Sequence, residues 1–193
     1  MSHAEVEIPS KRYWEEKFVE FDFDFIVKHL FLPNAMPRKC QIFNWRIFNG
    51  QINTEARLLR MRLSNGTCTL CTLELENVQH LLISCTCVEK VWIGIENMIS
   101  KIRQNYTLLS NFNKIFGFKD IDTEMEFCNT LLSITRWNIW KRRCIFRYEN
   151  KYMSQDELLT WILDDYKQNL QILRTGVLFK NKALIEEIQR RIE

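Results

Sequence analysis

The sequence predicts an all-α domain into which one short cysteine/histidine segment is set, and three observations carry that prediction. Only 5 glycines and 3 prolines occur in 193 residues, too few to punctuate a series of hairpins. Apolar residues recur at helical spacing through most of the chain, above all over residues 123–152, which contain neither glycine nor proline. The exception is CTLCTLELENVQHLLISC, residues 68–85, which spells C-x2-C-x8-H-x4-C.

Composition narrows the class further. With 46% hydrophobic and 12% aromatic residues the chain can bury a substantial core and is not a disordered segment. A formal net charge of +3 carries no argument for nucleic-acid binding by itself, so local clustering must supply one. The N-terminus MSHAEVEIPSKRYWEEKF is polar and charged, and no run reaches the ~18 apolar residues of a membrane span. A soluble intracellular protein, cytoplasmic or nuclear and without a membrane partner, is the expectation. Seven cysteines, an odd number with no secretion signal, point to reduced thiols rather than a disulfide framework.

Taken in order, residues 1–19 read as an N-terminal extension. In EFDFDFIVKHLFLP, 20–33, Phe21, Phe23 and Phe25 alternate with acids, yet Phe25, Ile26, His29 and Leu30 continue at helical spacing, so a short helix ended by Pro33 is expected. PRKCQIFNWRIFNGQ, 37–51, has proline in the first turn, an apolar set of Cys40, Phe43, Ile47 and Phe48, and Gly50 as a stop. Asn53 or Thr54 caps a further helix, TEARLLRMRL, with Ala56, Leu59 and Leu63 facing inward. SNGTC is a turn that delivers the chain to the first cysteine.

After the cysteines, residues 88–103 predict an amphipathic helix with Val91, Trp92, Ile95, Met98, Ile99 and Ile102 on its apolar face. A loop follows over 105–123. From Thr123 the helical pattern returns with apolar residues on more than one face, which predicts a buried central helix. Ser154 followed by Glu157 is a capping box, opening a helix with Leu158, Trp161, Ile162, Tyr166, Leu170 and Leu173 on one side. KNKALIEEIQRRIE closes the chain as a last amphipathic helix. The expected organisation is therefore the extension 1–19, helices with the cysteine region over 20–104, and a helical region 105–193 packed on it.

The cysteine segment carries the chemistry. Zinc takes a tetrahedron of thiolates and imidazoles, and two intervening residues let one tight turn present Cys68 and Cys71 to the same ion. His80 and Cys85 complete the set if HLLISC is a short helix or turn. On an α-helix, positions five apart diverge by roughly 140°. Cys85 must therefore lie at or past the helix end, and Cys87 is a possible substitute. Two other readings compete: buried cysteines acting as small hydrophobes, and a redox C-x-x-C, which calls for an α/β context that this chain lacks. A site with four protein donors and no open position stabilises rather than catalyses. TLELENVQ has little apolar content of its own, so a local need for metal is reasonable.

The run from Phe31 to Trp92 resembles the zinc-binding region found after the reverse transcriptase in LINE-type, non-LTR retrotransposon polyproteins. The elements that carry the resemblance are a basic entry at Pro37 to Lys39, an aromatic-Trp-Arg helix at Phe43 to Arg46, Thr54, Leu58 to Arg60, Cys68, Cys71, Glu76, His80 to Leu82, Cys85 and the closing Trp92. Over LLSITRWNIWKRRCIFRYEN the chain is also similar to the Trp-x-x-Trp-Lys-x-Arg helix that often follows. The resemblance implies a structural zinc ion and an accessory module that grips RNA or DNA of a retroelement and its target, with the reverse transcriptase as a partner in cis. It implies no polymerase activity here. A polymerase needs strand-borne aspartates to hold two metal ions, whereas Asp164 and Asp165 lie in a helical segment. The chain is not expected to be an enzyme by itself or to take a small-molecule substrate.

Two basic groups are candidates for phosphate contact: Arg57, Arg60 and Arg62 before the cysteines, and Lys141, Arg142, Arg143 with Arg147 after Trp137 and Trp140. Guanidinium groups pair with phosphate and aromatics stack on unpaired bases. Arg60 and Arg62 are the first choice, the 141–143 cluster the next. Trp137 and Trp140 are expected mainly to pack in the core. A zinc-stapled protein-interaction module and a decayed retroelement fragment are the alternative readings.

Overall fold

The computed structural model describes residues 35–103, 114, 122–176 and 182–192. The extension 1–19, the helix expected over 20–33 and nearly all of the loop expected over 105–123 lie outside the described residues. The architecture is all-α with an embedded cysteine/histidine cluster; among the described residues there is no strand, only an isolated antiparallel bridge between Thr67 and Leu75. No helix among them is long and apolar enough to cross a membrane.

Helix α1, Arg38–Phe48, follows Pro37 and buries Cys40, Phe43, Asn44, Ile47 and Phe48. Gly50 ends it in the left-handed region, at φ 62°. Helix α2 is a short piece, Glu55–Arg60, whose Thr54 hydroxyl accepts from the Arg57 amide. The expected helix to Leu63 stops early because Arg62 turns into the left-handed region, at φ 57°. The inward face is accordingly Ala56 and Leu58, while Leu59 and Leu63 are exposed, a correction to the face read from the sequence.

Helix α3, Glu89–Ile102, buries the six residues its periodicity marks: Val91, Trp92, Ile95, Met98, Ile99 and Ile102. Helix α4, Thr123–Glu149, opens on the Asp122 side chain, which accepts from the Met125 amide at 2.9 Å, and closes on Asn150 in the left-handed conformation. It packs against α1, α3 and helix α5, Gln155–Thr175, so it is the central element. Leu158, Ile162, Tyr166 and Leu170 of α5 are buried, while Trp161 and Leu173 are only half-buried. Helix α6, Lys182–Ile192, covers α3 and α5 through Ile185, Ile188 and Ile192.

Polar side chains fix how these helices meet. Asp165 on α5 accepts from Lys39 of α1 at 2.9 Å and from Asn138 of α4 at 3.0 Å, while its neighbour Asp164 is exposed. Arg136 of α4 is fully buried and donates to Asn44 of α1, to Ser133 and to the Lys114 carbonyl. Burial lowers its pKa to about 10, which leaves it charged at neutral pH and accounts for the need for those acceptors.

Candidate metal centre

Between α2 and α3 the chain makes a knuckle. Gly66, at φ 84°, lies so close to Leu59 and Leu75 that an added Cβ would sit 2.7 Å from one and 2.9 Å from the other. The strand-like bridge beside it is closed by the Cys68 amide to the Glu74 carbonyl, 2.7 Å, and by the Glu76 amide to the Gly66 carbonyl, 2.9 Å. Within this loop Cys68 and Cys71 are presented from one turn, with the amides of Leu70 and Cys71 directed at the Cys68 sulfur.

The second pair comes from a device that the sequence does not announce. His80–Ser84 form a single π-helical turn, closed by the Cys85 amide donating to the His80 carbonyl at 2.8 Å. Because a π turn bonds residues five apart, it brings His80 and Cys85 to the same side, where an α-helix would separate them. The Asn77 side chain caps the turn through the His80 amide, 2.7 Å. Leu81, Leu82 and Ile83 anchor it in the core, and the Leu82 carbonyl accepts from the Trp92 indole at 2.8 Å.

The result is that one donor atom from each of Cys68, Cys71, His80 and Cys85 lies within 4.8 Å of the others. Cys68 Sγ is 4.0 Å from Cys85 Sγ, and Cys71 Sγ is 3.3 Å from His80 Nε2. A tetrahedral ion with ligand bonds of about 2.0–2.3 Å has edges of roughly 3.3–3.8 Å, so the donor set fits a zinc-type ion with small adjustments. Three thiols and an imidazole are also the soft and borderline donors that such an ion prefers. Cys87 stands apart, its thiol turned to the Leu70 carbonyl at 3.4 Å. Glu74 Oε2 lies 3.1 Å from His80 Nδ1, close to the place of the outer carboxylate that orients a ligating histidine, though off the line of a hydrogen bond.

Charge is already biased toward thiolate. The contact with Cys85 pulls the Cys68 thiol down to about 5 and pushes Cys85 up, while burial raises both. Thiols must be deprotonated to ligate a metal ion, so binding at this donor set would release protons.

The basic residues divide sharply. Arg60 and Arg62 are exposed beside the knuckle. Arg57 is half-buried and donates to the Gly50 carbonyl. Burial, then the charge of Arg57, lowers the pKa of Arg60. Lys141 is half-buried with its ammonium 4.1 Å from the centroid of the Trp161 ring. Arg142 and Arg143 are corrections: both are buried, and neither presents its charge to solvent. Arg142 donates to the carbonyls of Cys87, 2.7 Å, and Met153, 2.8 Å. Arg143 donates to Glu76, 2.7 Å, and to Glu55.

Those two carboxylates were not singled out as a pair by sequence reasoning. Glu76 also accepts from the amides of Glu55, 2.9 Å, and Thr69, 3.0 Å, and Glu55 accepts from Arg147, Ser64 and Thr69. A buried guanidinium survives only with such partners, so the second half of the chain holds the knuckle from beneath. The available signal was the appearance of Glu76 and of the Trp-Lys-x-Arg run as separate motif elements, with nothing to say that they meet.

Fold and site together define a helical domain with an embedded knuckle whose Cys68, Cys71, His80 and Cys85 could hold a metal ion. Residues 9–92, which contain all four donors and end at Trp92, match the family model described as zinc-binding in reverse transcriptase. No curated protein and no solved structure matches the chain.

Proposed function

We propose that the chain is a nucleic-acid-binding accessory module of a non-LTR retroelement reverse transcriptase, built on a structural zinc ion and without a polymerase centre of its own. The convergence of Cys68, Cys71, His80 and Cys85 inside the matched segment carries the reading. Four protein donors leave no open position for a substrate, which favours a scaffold over a catalyst. Asp165, tied to Lys39 and Asn138, is occupied in holding helices together. Phosphate contact falls to Arg60 and Arg62, aided by Arg57 and Lys141, with the polymerase acting in cis in a longer polyprotein inside the cell.

A second reading, a protein-interaction module stapled by zinc, is favoured by the exposed apolar side chains of Leu59, Met61, Leu63 and Leu73 round the knuckle. Salt dependence separates the two. Under the first, RNA or DNA affinity falls steeply as salt rises, and the double variant Arg60→Ala/Arg62→Ala lowers the slope of log K against log salt by about 1–2. No affinity at low salt, or a slope near zero, overturns it.

A further inference from the structure

A groove of about 340 Å³ opens between α1 and α4, away from the metal ligands. Its size falls in the ~300–1,000 Å³ range of small-ligand pockets. Phe43, Trp137 and Trp140 supply three aromatic rings, while Lys39, Arg46, Gln51 and Asn53 supply polar groups. Phe43, itself buried, stands edge-on to Trp137, 5.5 Å between centroids at 75°, and is tilted by 31° against Trp140 at 6.0 Å, with the Arg143 guanidinium 5.0 Å from the Trp140 ring, so Trp137 is the ring that these neighbours leave most open to the groove. Both tryptophans are half-buried rather than sealed in the core.

Charge selects the occupant. No lining residue is a carboxylate. Lys39 is already neutralised by Asp165, but Arg46 is exposed at the mouth and has no carboxylate partner among the described residues. A flat, hydrogen-bonding ring linked to an anion satisfies this combination: aromatic faces for the ring, the amides of Gln51 and Asn53 for its edge, and a guanidinium for the anion. A duplex keeps its bases stacked and offers none to the groove.

We propose that the groove between α1 and α4 receives an unpaired base of a single-stranded nucleic acid, with Arg46 on an adjacent phosphate. This rests on the nucleic-acid reading above and adds to it a place and a preference for single strands over duplex. Binding of a labelled oligothymidylate by the full chain, followed by fluorescence anisotropy, tests it alongside photocrosslinking of the same strand carrying 5-bromouracil. Arg46→Glu, at an exposed position, is expected to weaken single-strand binding about tenfold, the scale of one charge-assisted hydrogen bond to phosphate, with an unchanged melting curve. Crosslinks are expected at Trp137 or Trp140. If the chain binds the strand in a salt-dependent way but crosslinks map elsewhere and Arg46→Glu binds normally, the groove assignment falls and the accessory reading stands. Equal competition by duplex also overturns the groove assignment. Absence of any nucleic-acid binding overturns both.

Discussion

Across α3 and α5 the buried side chains are almost all apolar, Val91, Ile95, Ile99, Leu158 and Ile162 among them, whereas α4 sets buried Asn129, Arg136 and Asn138 among its Leu131 and Ile134. Between Gly66 and Val88 the fully or nearly buried set is instead Cys68, Glu76, His80 and Cys85 beside only Leu81, Leu82, Ile83 and Val88. The packing of α3 and α5 therefore draws mainly on the hydrophobic effect, which is non-directional and tolerates loss of one methylene. The knuckle is built on directed bonds, four clustered donors that could hold a metal ion above and a carboxylate–guanidinium network below. Directed bonds fail abruptly when one partner goes. The comparison predicts different responses to damage in the two regions.

The largest effect belongs to the metal. Structural zinc can contribute on the order of 10 kcal/mol to the folding of such a segment. One zinc per chain in native mass spectrometry, lost together with thermal stability on chelation or in Cys68→Ser, is the expected outcome. Amide exchange should rise first over residues 66–88 and later in α4. A metal-free preparation with an unchanged melting curve would sink the zinc assignment.

Next in size is the brace beneath. Glu76→Ala leaves Arg143 buried beside Glu55 with half its acceptors gone, and removing one partner of a buried ion pair costs about 3–5 kcal/mol. Denaturant melts of the zinc-loaded chain measure this directly. The contrast is Leu131→Ala in α4, expected to cost about 2–5 kcal/mol by cavity formation. Both variants melt lower, but only Glu76→Ala should also weaken zinc retention against a competing chelator. Equal zinc retention in the two would show that the network does not support the donor set.

How far the sequence foretold these regions follows the same division. The face of α3, the capping box at Ser154 and the central place of α4 were legible because periodicity and caps are local, and hydrophobic burial follows them. The donors Cys68, Cys71, His80 and Cys85 were legible as residue types at a spacing. What brings them together was not: the π turn from His80 is a departure from the 3.6-residue period on which the reading relied. Arg142 and Arg143, candidates for phosphate contact by residue type and clustering, are buried instead. Their partners at Cys87, Glu55 and Glu76 are 55 to 88 residues away, beyond any local pattern. Leu59 and Leu63 were placed inward on a helix that ends at Arg60, since nothing in TEARLLRMRL signals the left-handed turn at Arg62.

The smallest effect tests whether the stack is as forgiving as its apolar core implies. At the start of α5 the Glu157 amide donates to Ser154 Oγ at 3.2 Å, and the Ser154 amide donates to the Glu157 carboxylate at 2.7 Å. Ser154→Ala is expected to cost about 1 kcal/mol without changing zinc content. The Ser154 backbone amide, then its hydroxyl, holds the Glu157 carboxyl below its ordinary value. A group whose folded pKa is depressed adds stability above its unfolded pKa and loses it as pH falls through the folded value. The cap therefore weakens only below about pH 4, whereas the donor set, which must lose protons to bind metal, weakens as soon as acid competes for its sulfurs and imidazole. Acid titration followed separately by zinc release and by helix content should show the metal leaving at the higher pH. Loss of helix at or before zinc release would mean that the two regions unfold as one unit and that the division drawn between them is wrong.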